Sequence, residues 1–290
     1  MKKYLQLLRI SNYLKNGYIF MPAFFSGRLL EQSVFINSCI AFAAFSLMAS
    51  AIYILNDLMD IEEDKLHPEK KFRPIPSGLI SKTQAYLLMG LLAMASLGIA
   101  YYLEASLTYI IGAYLLINIF YSIKLKHFAI IDIAIISIGF ILRIEAGSAA
   151  TGIEISKWLM MMVFLLSMFQ ALAKRMDDVV MNTDSQVIVR KSVDGYSLEF
   201  LRIGISILSA VLFVCYLMYI TSPEIEARLG TDAYYTALPV LLGLFRYLQL
   251  CYVHSQSASP VKILIKDHFI KFTILVWILS FAYLLKYSLP

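Results

Sequence analysis

The densest run of reactive side chains in this sequence is Asn56-Asp57-Leu58-Met59-Asp60-Ile61-Glu62-Glu63-Asp64, followed at once by Lys65-Leu66-His67-Pro68. Asp57, Asp60 and Asp64 fall three and four residues apart, the spacing that stacks side chains on one face of a helix. Like charges so placed repel unless a cation lies among them. Carboxylate oxygens are hard ligands, and the cation they suit is Mg²⁺, which takes one or two carboxylates and completes its shell with water and substrate phosphate oxygens. Asn56 adds a neutral oxygen, so the expected metal set is Asn56, Asp57, Asp60 and Asp64. Pro68 cannot continue a helical ladder and predicts a stop. Directly beyond it stands Lys70-Lys71-Phe72-Arg73-Pro74-Ile75-Pro76-Ser77-Gly78. Cations beside a metal-loaded acidic face suit a diphosphate: the metal bridges some oxygens while Lys and Arg hold the others. Three acids alone would equally fit a solvated helix; Asn56 before them and the basic, Pro-rich loop after them favour a ligand site. Ser81 and Gln84 predict a capping box opening the next helix.

The elements that carry these residues are apolar. Of the 290 residues 60% are hydrophobic and 16% charged, against about 45–50% and about 25% in a soluble domain. The excess falls in blocks of roughly 20 residues, the length that crosses a ~30 Å hydrocarbon layer as helix. The blocks are 17–30, 34–55, 83–103, 106–121, 128–149, 157–173, 201–220, 234–252 and 268–287. Backbone inside lipid must satisfy its own hydrogen bonds, which makes these runs helices; the alternation of a membrane barrel is absent. The expected fold is all-α, a polytopic membrane bundle of about nine transmembrane helices forming one domain over residues 1–290. Met1-Lys2-Lys3 looks like the start of a signal peptide, but Arg9 and Lys15 interrupt the apolar stretch and no small-residue cleavage site follows. Cys39, Cys215 and Cys251 lie far apart inside apolar spans, without a CxxC. His67, His127, His254 and His268 are equally scattered, which argues against a zinc or haem site.

Most of the 25 Lys and Arg fall on one side of this arrangement, in the N-terminal stretch and in the segments around 65–82, 124–126, 174–202 and 262–271. The positive-inside rule makes that side cytoplasmic, with the N-terminus inside. The long polar stretches 56–82 and 174–200 lie there too, so ligand chemistry is expected at the cytoplasmic face of a bacterial-type inner membrane. The net charge of +5 thus reads as topology and as contact with membrane lipids; no nucleic-acid partner is expected. A homo-oligomer is left open. Arg143 lies within a span, where arginine is costly and faces the bundle interior or a polar cavity. Arg246 also falls in a span, without a motif around it, and is assigned no role.

Several segments resemble one known family. Asn56-Asp57-x-x-Asp60-x-x-x-Asp64 resembles the first aspartate-rich motif of the UbiA superfamily of intramembrane prenyltransferases, nine-helix proteins with a Mg²⁺-dependent diphosphate site. His67-Pro68 through Gly78, Tyr121-Ser122-Ile123-Lys124-Leu125-Lys126-His127 with Asp132, Gly139-Phe140-Ile141-Leu142-Arg143 with Ala146-Gly147, and Arg9, Lys15-Asn16 and Pro22 resemble motifs of its phosphoribosyltransferase branch. The second polar loop, Ala173-Lys174-Arg175-Met176-Asp177-Asp178, is a poor second metal face, with Asp184 six residues beyond Asp178. It is similar to that branch's KRxxE with Asp178 replacing Glu, and Arg190, Lys191 and Tyr196 fall where the branch has Arg and Tyr. The resemblance implies transfer of 5-phosphoribose from phosphoribosyl pyrophosphate to a polyprenyl phosphate. The alternative is a UbiA-type transfer of a polyprenyl group to an aromatic or quinone-precursor acceptor. On the first reading Asp57, Asp60 and Lys126 are catalytic. Lys15, Asn16, Lys70, Lys71, Arg73, Tyr121, Arg143, Lys174, Arg175 and Asp178 bind substrate, several of them supplying the cations that three phosphate groups require.

Overall fold

A computed structural model of the chain describes residues 2–185, 195–253, 263 and 266–288. Regular structure among them is helical throughout, with no strand. The α-helices are α1 (Lys2–Leu8), α2 (Met21–Phe25), α3 (Gln32–Met59), α4 (Ile61–Leu66), α5 (Lys82–Leu103), α6 (Ala105–Ile123), α7 (Ile131–Thr151), α8 (Lys157–Ser185), α9 (Leu198–Ile220), α10 (Pro223–Leu229), α11 (Ala237–Tyr252) and α12 (His268–Ser288). Among the described residues seven helices, α3, α5, α6, α7, α8, α9 and α12, are long and apolar enough to cross a membrane. Their outward faces stay apolar: Tyr102 of α5 is 94% exposed and Tyr109 of α6 80%. Such surface is a liability in water and fits hydrocarbon, so the protein is integral to the membrane.

Two of the nine expected spans take another form. Over 17–30 the chain instead runs as a 3₁₀ helix, Ile10–Phe20, then α2, and turns at Gly27 with φ 74°. The reason is polar: buried Asn16 donates to Ser46 Oγ at 2.9 Å and accepts from Arg143, so this segment is fixed by side-chain bonds to α3 and α7. Over 234–252 the α-helix is only the 16 residues of α11, about 24 Å long, preceded by a 3₁₀ turn, Thr231–Thr236. Arg246 on α11 pairs with Asp267 at 2.8 Å, which accounts for an arginine in that stretch.

The chain divides into two compact units, Met1–Lys126 with Gly139–Ile155 and His127–Ile138 with Ser156–Pro290; helix α7 gives its first turns to one and the remainder to the other. In the first unit α3 is central. Its small residues Ala41, Ala44, Ala49 and Ala51 are buried beside Phe45, Met48 and Ile52, and the Ser96 hydroxyl of α5 donates to Ala44 O at 2.6 Å. The capping box at Ser81 and Gln84 forms with both bonds at 3.2 Å. In the second unit Gly204 of α9 lets Leu172 of α8 approach, where a Cβ would lie 3.2 Å from its side chain. Phe169, Met176, Leu201, Ile205 and Tyr247 complete that core.

Candidate functional site

The acidic run does not lie on one continuous helix. It crosses the junction of α3 and α4 at Asp60, whose φ −97° and ψ 14° leave the helical range. The hydrogen-bond ladder nevertheless carries through, with Asp60 N–H on Asn56 O at 2.9 Å and Asp64 N–H on Asp60 O at 2.8 Å. Asp57 and Asp64 therefore still face the same way. Helix α4 stops at Leu66 and His67 is extended, as a residue before proline must be. His67 Nδ1 then accepts the backbone N–H groups of Glu69 and Lys70 at 3.2 and 3.3 Å, folding the basic loop back on the acids. Burial, then the neighbouring Lys70 charge, hold the His67 pKa below its ordinary value, in keeping with a ring nitrogen that accepts.

Asp57 and Asp64 are 1% and 2% exposed. Both meet one atom: Arg73 Nη1 lies 2.6 Å from Asp64 Oδ2 and 3.1 Å from Asp57 Oδ1. Lys70 Nζ stands 3.9 Å from Asp64 Oδ1. Arg9 pairs with Asp57 through Nη2. Asp60 turns aside to Lys126, and Asn56 Oδ1 accepts from the buried Ser122 hydroxyl of α6. Of the four expected metal ligands the structure thus gathers two about one point and directs the others to separate partners. Lys71 is exposed, its ammonium 5.1 Å over the Phe72 ring, and Tyr121 is half-buried on α6 beside Ser122.

Two buried carboxylates that already converge on one positive charge have the donor chemistry for Mg²⁺. No three Asp, Glu, His or Cys among the described residues stand close enough to cage an ion. Asp57 and Asp64 would hold the metal, with Asp60 and Asn56 nearby, and the open positions would fall to water and phosphate oxygens, as magnesium prefers.

Deeper in the first unit, at the level of Phe45 on α3, Arg143 is 5% exposed and has no carboxylate partner among the described residues. Each of its three nitrogens donates: Nε to Asn16 Oδ1 at 2.8 Å, Nη1 to Gly139 O at 2.6 Å and Nη2 to Tyr114 OH at 3.0 Å. The rings of Phe45, Tyr114 and Phe140 surround it at 4.9, 5.0 and 5.3 Å. Lys15 is exposed as a residue, yet burial of its ammonium, then the charges of Arg143 and Arg9, lower its pKa. Arg9, Lys15 and Arg143 therefore form a positive field in which, among the described residues, Asp57 is the one paired acid.

The second unit holds a separate polar network. Asp132, on the first turn of α7, is fully buried. It accepts from Arg175 Nε at 2.7 Å and from Tyr196 OH at 2.7 Å. Arg175 also donates to Asp178 at 2.9 Å, so Asp178 supports the arginine. Tyr196 OH in turn accepts the Ile130 N–H at 2.6 Å, at a residue whose φ of 69° is rare for a β-branched side chain. Burial and the bond to Asp132 push the Tyr196 pKa up, so the phenol stays protonated as both bonds require. Lys174 is exposed. Arg190 and Lys191 lie outside the described residues, as does the side chain of Asp184. Sequence reasoning assigns no role to Arg9, Tyr114, Ser122 or Asp132, although Arg9, Ser122 and Asp132 stand within the family-like motifs, which is the available signal.

The model of the UbiA prenyltransferase family matches residues 19–274. A decaprenyl-phosphate phosphoribosyltransferase from Mycolicibacterium smegmatis is 34% identical over 246 residues, covering 82% of this chain and 77% of the relative. Its namesake from Corynebacterium glutamicum is 28% identical over 279 residues, covering 94% and 84%. Among solved structures, a UbiA homolog from Archaeoglobus fulgidus bound to DMAPP and Mg²⁺ superposes with a TM-score of 0.69 at 17% identity, covering 98% and 99% of the two chains. Fold, motifs and family model agree, and the chain, a membrane-embedded transferase, belongs to the UbiA prenyltransferase family.

Proposed function

We propose that this protein transfers 5-phosphoribose from phosphoribosyl pyrophosphate to a polyprenyl phosphate, releasing pyrophosphate, at a Mg²⁺-dependent site facing the cytoplasm of a bacterial-type inner membrane. The observation that carries the reading is the pair of buried carboxylates, Asp57 and Asp64, converging among Arg9, Lys70 and Arg73, with Lys126 on the neighbouring Asp60. The two relatives described above, named for phosphoribosyl transfer to decaprenyl phosphate, support the choice of donor and acceptor.

Bound Mg²⁺ would neutralise the diphosphate leaving group as a Lewis acid. The rest falls to the chain. Arg73 and Lys70, brought back by the turn after His67, hold diphosphate oxygens that the metal leaves free. Lys126 neutralises negative charge that grows as the bond from ribose C1 to the diphosphate oxygen breaks and its electron pair departs with pyrophosphate. A phosphate oxygen of the lipid forms the new bond to C1. That oxygen is already anionic, so no strong general base is needed, and catalysis rests on positioning and electrostatics. Lys15, beside Arg143, supplies further positive charge for a second phosphate group.

The alternative is prenyl transfer to an aromatic acceptor, since the fold is shared with a UbiA homolog bound to DMAPP and Mg²⁺. Against it, Asp184 stands six residues beyond Asp178, a spacing poorly suited to a second metal face. Purified protein given Mg²⁺, ribose-labelled phosphoribosyl pyrophosphate and a polyprenyl phosphate should place label in the lipid. No label in the lipid, with an aromatic acid prenylated under matched conditions, would reverse the assignment.

A further inference from the structure

Arg9 is held in an unusual way. Its backbone lies in the left-handed region, φ 51° and ψ 49°, which costs a residue with a Cβ and persists only where the surroundings dictate it. The surroundings here are one face of α3. The Ser50 hydroxyl donates to Leu8 O at 2.8 Å and bonds Tyr13 OH at 2.8 Å, fixing the backbone on either side of Arg9. One turn further along, the guanidinium sits 4.9 Å over the Tyr53 ring. A turn beyond that it reaches Asp57. Ser50, Tyr53 and Asp57 are spaced three and four apart, so one face of α3 holds the chain beside Arg9 at one level and its guanidinium at the next two.

The carboxylate it reaches is also held by Arg73. Asp57 Oδ1 therefore carries two guanidinium partners, while the whole cluster sets Arg9, Lys70, Arg73 and Lys126 against Asp57, Asp60 and Asp64. A divalent cation arriving alone must displace an arginine from Asp57 and then lie beside it. A diphosphate arriving alone must draw arginines off buried acids and leave these uncompensated. Arriving together, each satisfies what the other uncovers.

Resting on the function proposed above, we propose that Arg9 is a further ligand-binding residue of this site: its guanidinium competes with Mg²⁺ for Asp57 and passes to the diphosphate when the metal takes that carboxylate, so that metal and diphosphate bind interdependently. Such coupling is reciprocal and typically amounts to roughly 5- to 150-fold.

The decisive measurement uses the full chain in detergent. Mn²⁺, as a magnetic surrogate for Mg²⁺, is titrated without phosphate and counted by electron paramagnetic resonance; labelled inorganic pyrophosphate is measured by equilibrium dialysis at saturating Mg²⁺. Arg9→Asn is the informative variant, because asparagine accepts the left-handed backbone while removing the guanidinium. It should bind Mn²⁺ alone about fivefold or more tightly, since Asp57 has lost a competitor, and bind pyrophosphate roughly tenfold more weakly. A residue that merely braces the fold would weaken both. If Arg9→Asn does not fold, Arg9→Lys keeps the charge without the fork and should show the same opposed shifts at smaller size. Parallel loss of both affinities, or no change in either, overturns the role given to Arg9. Wild-type protein that retains no Mn²⁺ even with pyrophosphate present would instead overturn the site itself, and the inference with it.

Discussion

Gly147 stands on α7 where the helix meets the backbone of the 3₁₀ segment. A Cβ there would lie 2.0 Å from Ile19 O, 2.9 Å from Ile19 C and 3.2 Å from Ile19 Cα. A carbon and a carbonyl oxygen in contact settle near 3.3 Å, so Gly147→Ala must open this junction by about 1.3 Å. Every atom in the way is main chain, and no rotamer change can relieve the clash. Overpacking of this kind costs about 1–3 kcal/mol. A second loss follows, because Arg143 lies one turn earlier on the same helix. Displaced by the same amount, its 2.8 Å bond to Asn16 stretches to about 4 Å and is lost, removing a charge-assisted bond of about 1.5–3 kcal/mol. The variant should therefore unfold about 3 kcal/mol sooner in denaturant titrations followed by circular dichroism. Turnover should fall by roughly 100-fold if Lys15 moves by that distance from its working place. Gly90→Ala on α5, where a Cβ meets nothing within 4 Å, is the matched control and should be neutral or stabilising by about 0.5–1 kcal/mol. If Gly147→Ala proves as stable as Gly90→Ala, the close approach of α7 to Ile19 is wrong.

Asp57→Ala and Asp60→Ala should each abolish label transfer to the lipid; near-normal activity in either would show that the acidic run does not hold the metal. Tyr196→Phe removes the acceptor of the Ile130 N–H and a donor to Asp132, so it should cost about 1–3 kcal/mol in the same unfolding assay; an unchanged midpoint would mean that the strained turn at Ile130 does not depend on the phenol. His67, with its pKa held below that of the unfolded chain, stabilises the basic loop in its neutral form. That contribution is complete above about pH 6.5 and is lost as pH falls through the unfolded value toward the lowered one. Pyrophosphate binding should weaken on acidification through that window, and His67→Asn, whose carbonyl can still accept the two N–H groups, should flatten the profile. An unchanged profile in this variant would exclude His67 as its origin.

Local rules carried far in this chain. Pro68 ends α4, Ser81 and Gln84 cap α5, and seven of the apolar blocks are helices of spanning length, since each depends on neighbours in sequence. The spacing of the acids likewise brought Asp57 and Asp64 to one point. What escaped was decided over distance. Asn16 reads as one polar residue near an apolar block, yet its bonds to Ser46 and Arg143 turn an expected span into a 3₁₀ segment. Arg9 reads as topological charge, and only α3 makes it a partner of Asp57. Asp132 belongs to a quoted motif, but nothing in its spacing announces Arg175 and Tyr196, which come 43 and 64 residues later.

Arg143 also bears on how the chain is assembled. An arginine at the centre of a lone helix raises the cost of partition from the insertion machinery into lipid by about 2.5–3.5 kcal/mol, a cost that the apolar residues of α7 must offset. The groups that neutralise this cost are Asn16, Phe45, Tyr114, Gly139 and Phe140, and each is synthesised before residue 143. When α7 emerges from the ribosome its receptor is already threaded, so the helix enters the bilayer against waiting partners. The order of synthesis thus adds, for this segment, to what its hydrophobicity already supplies.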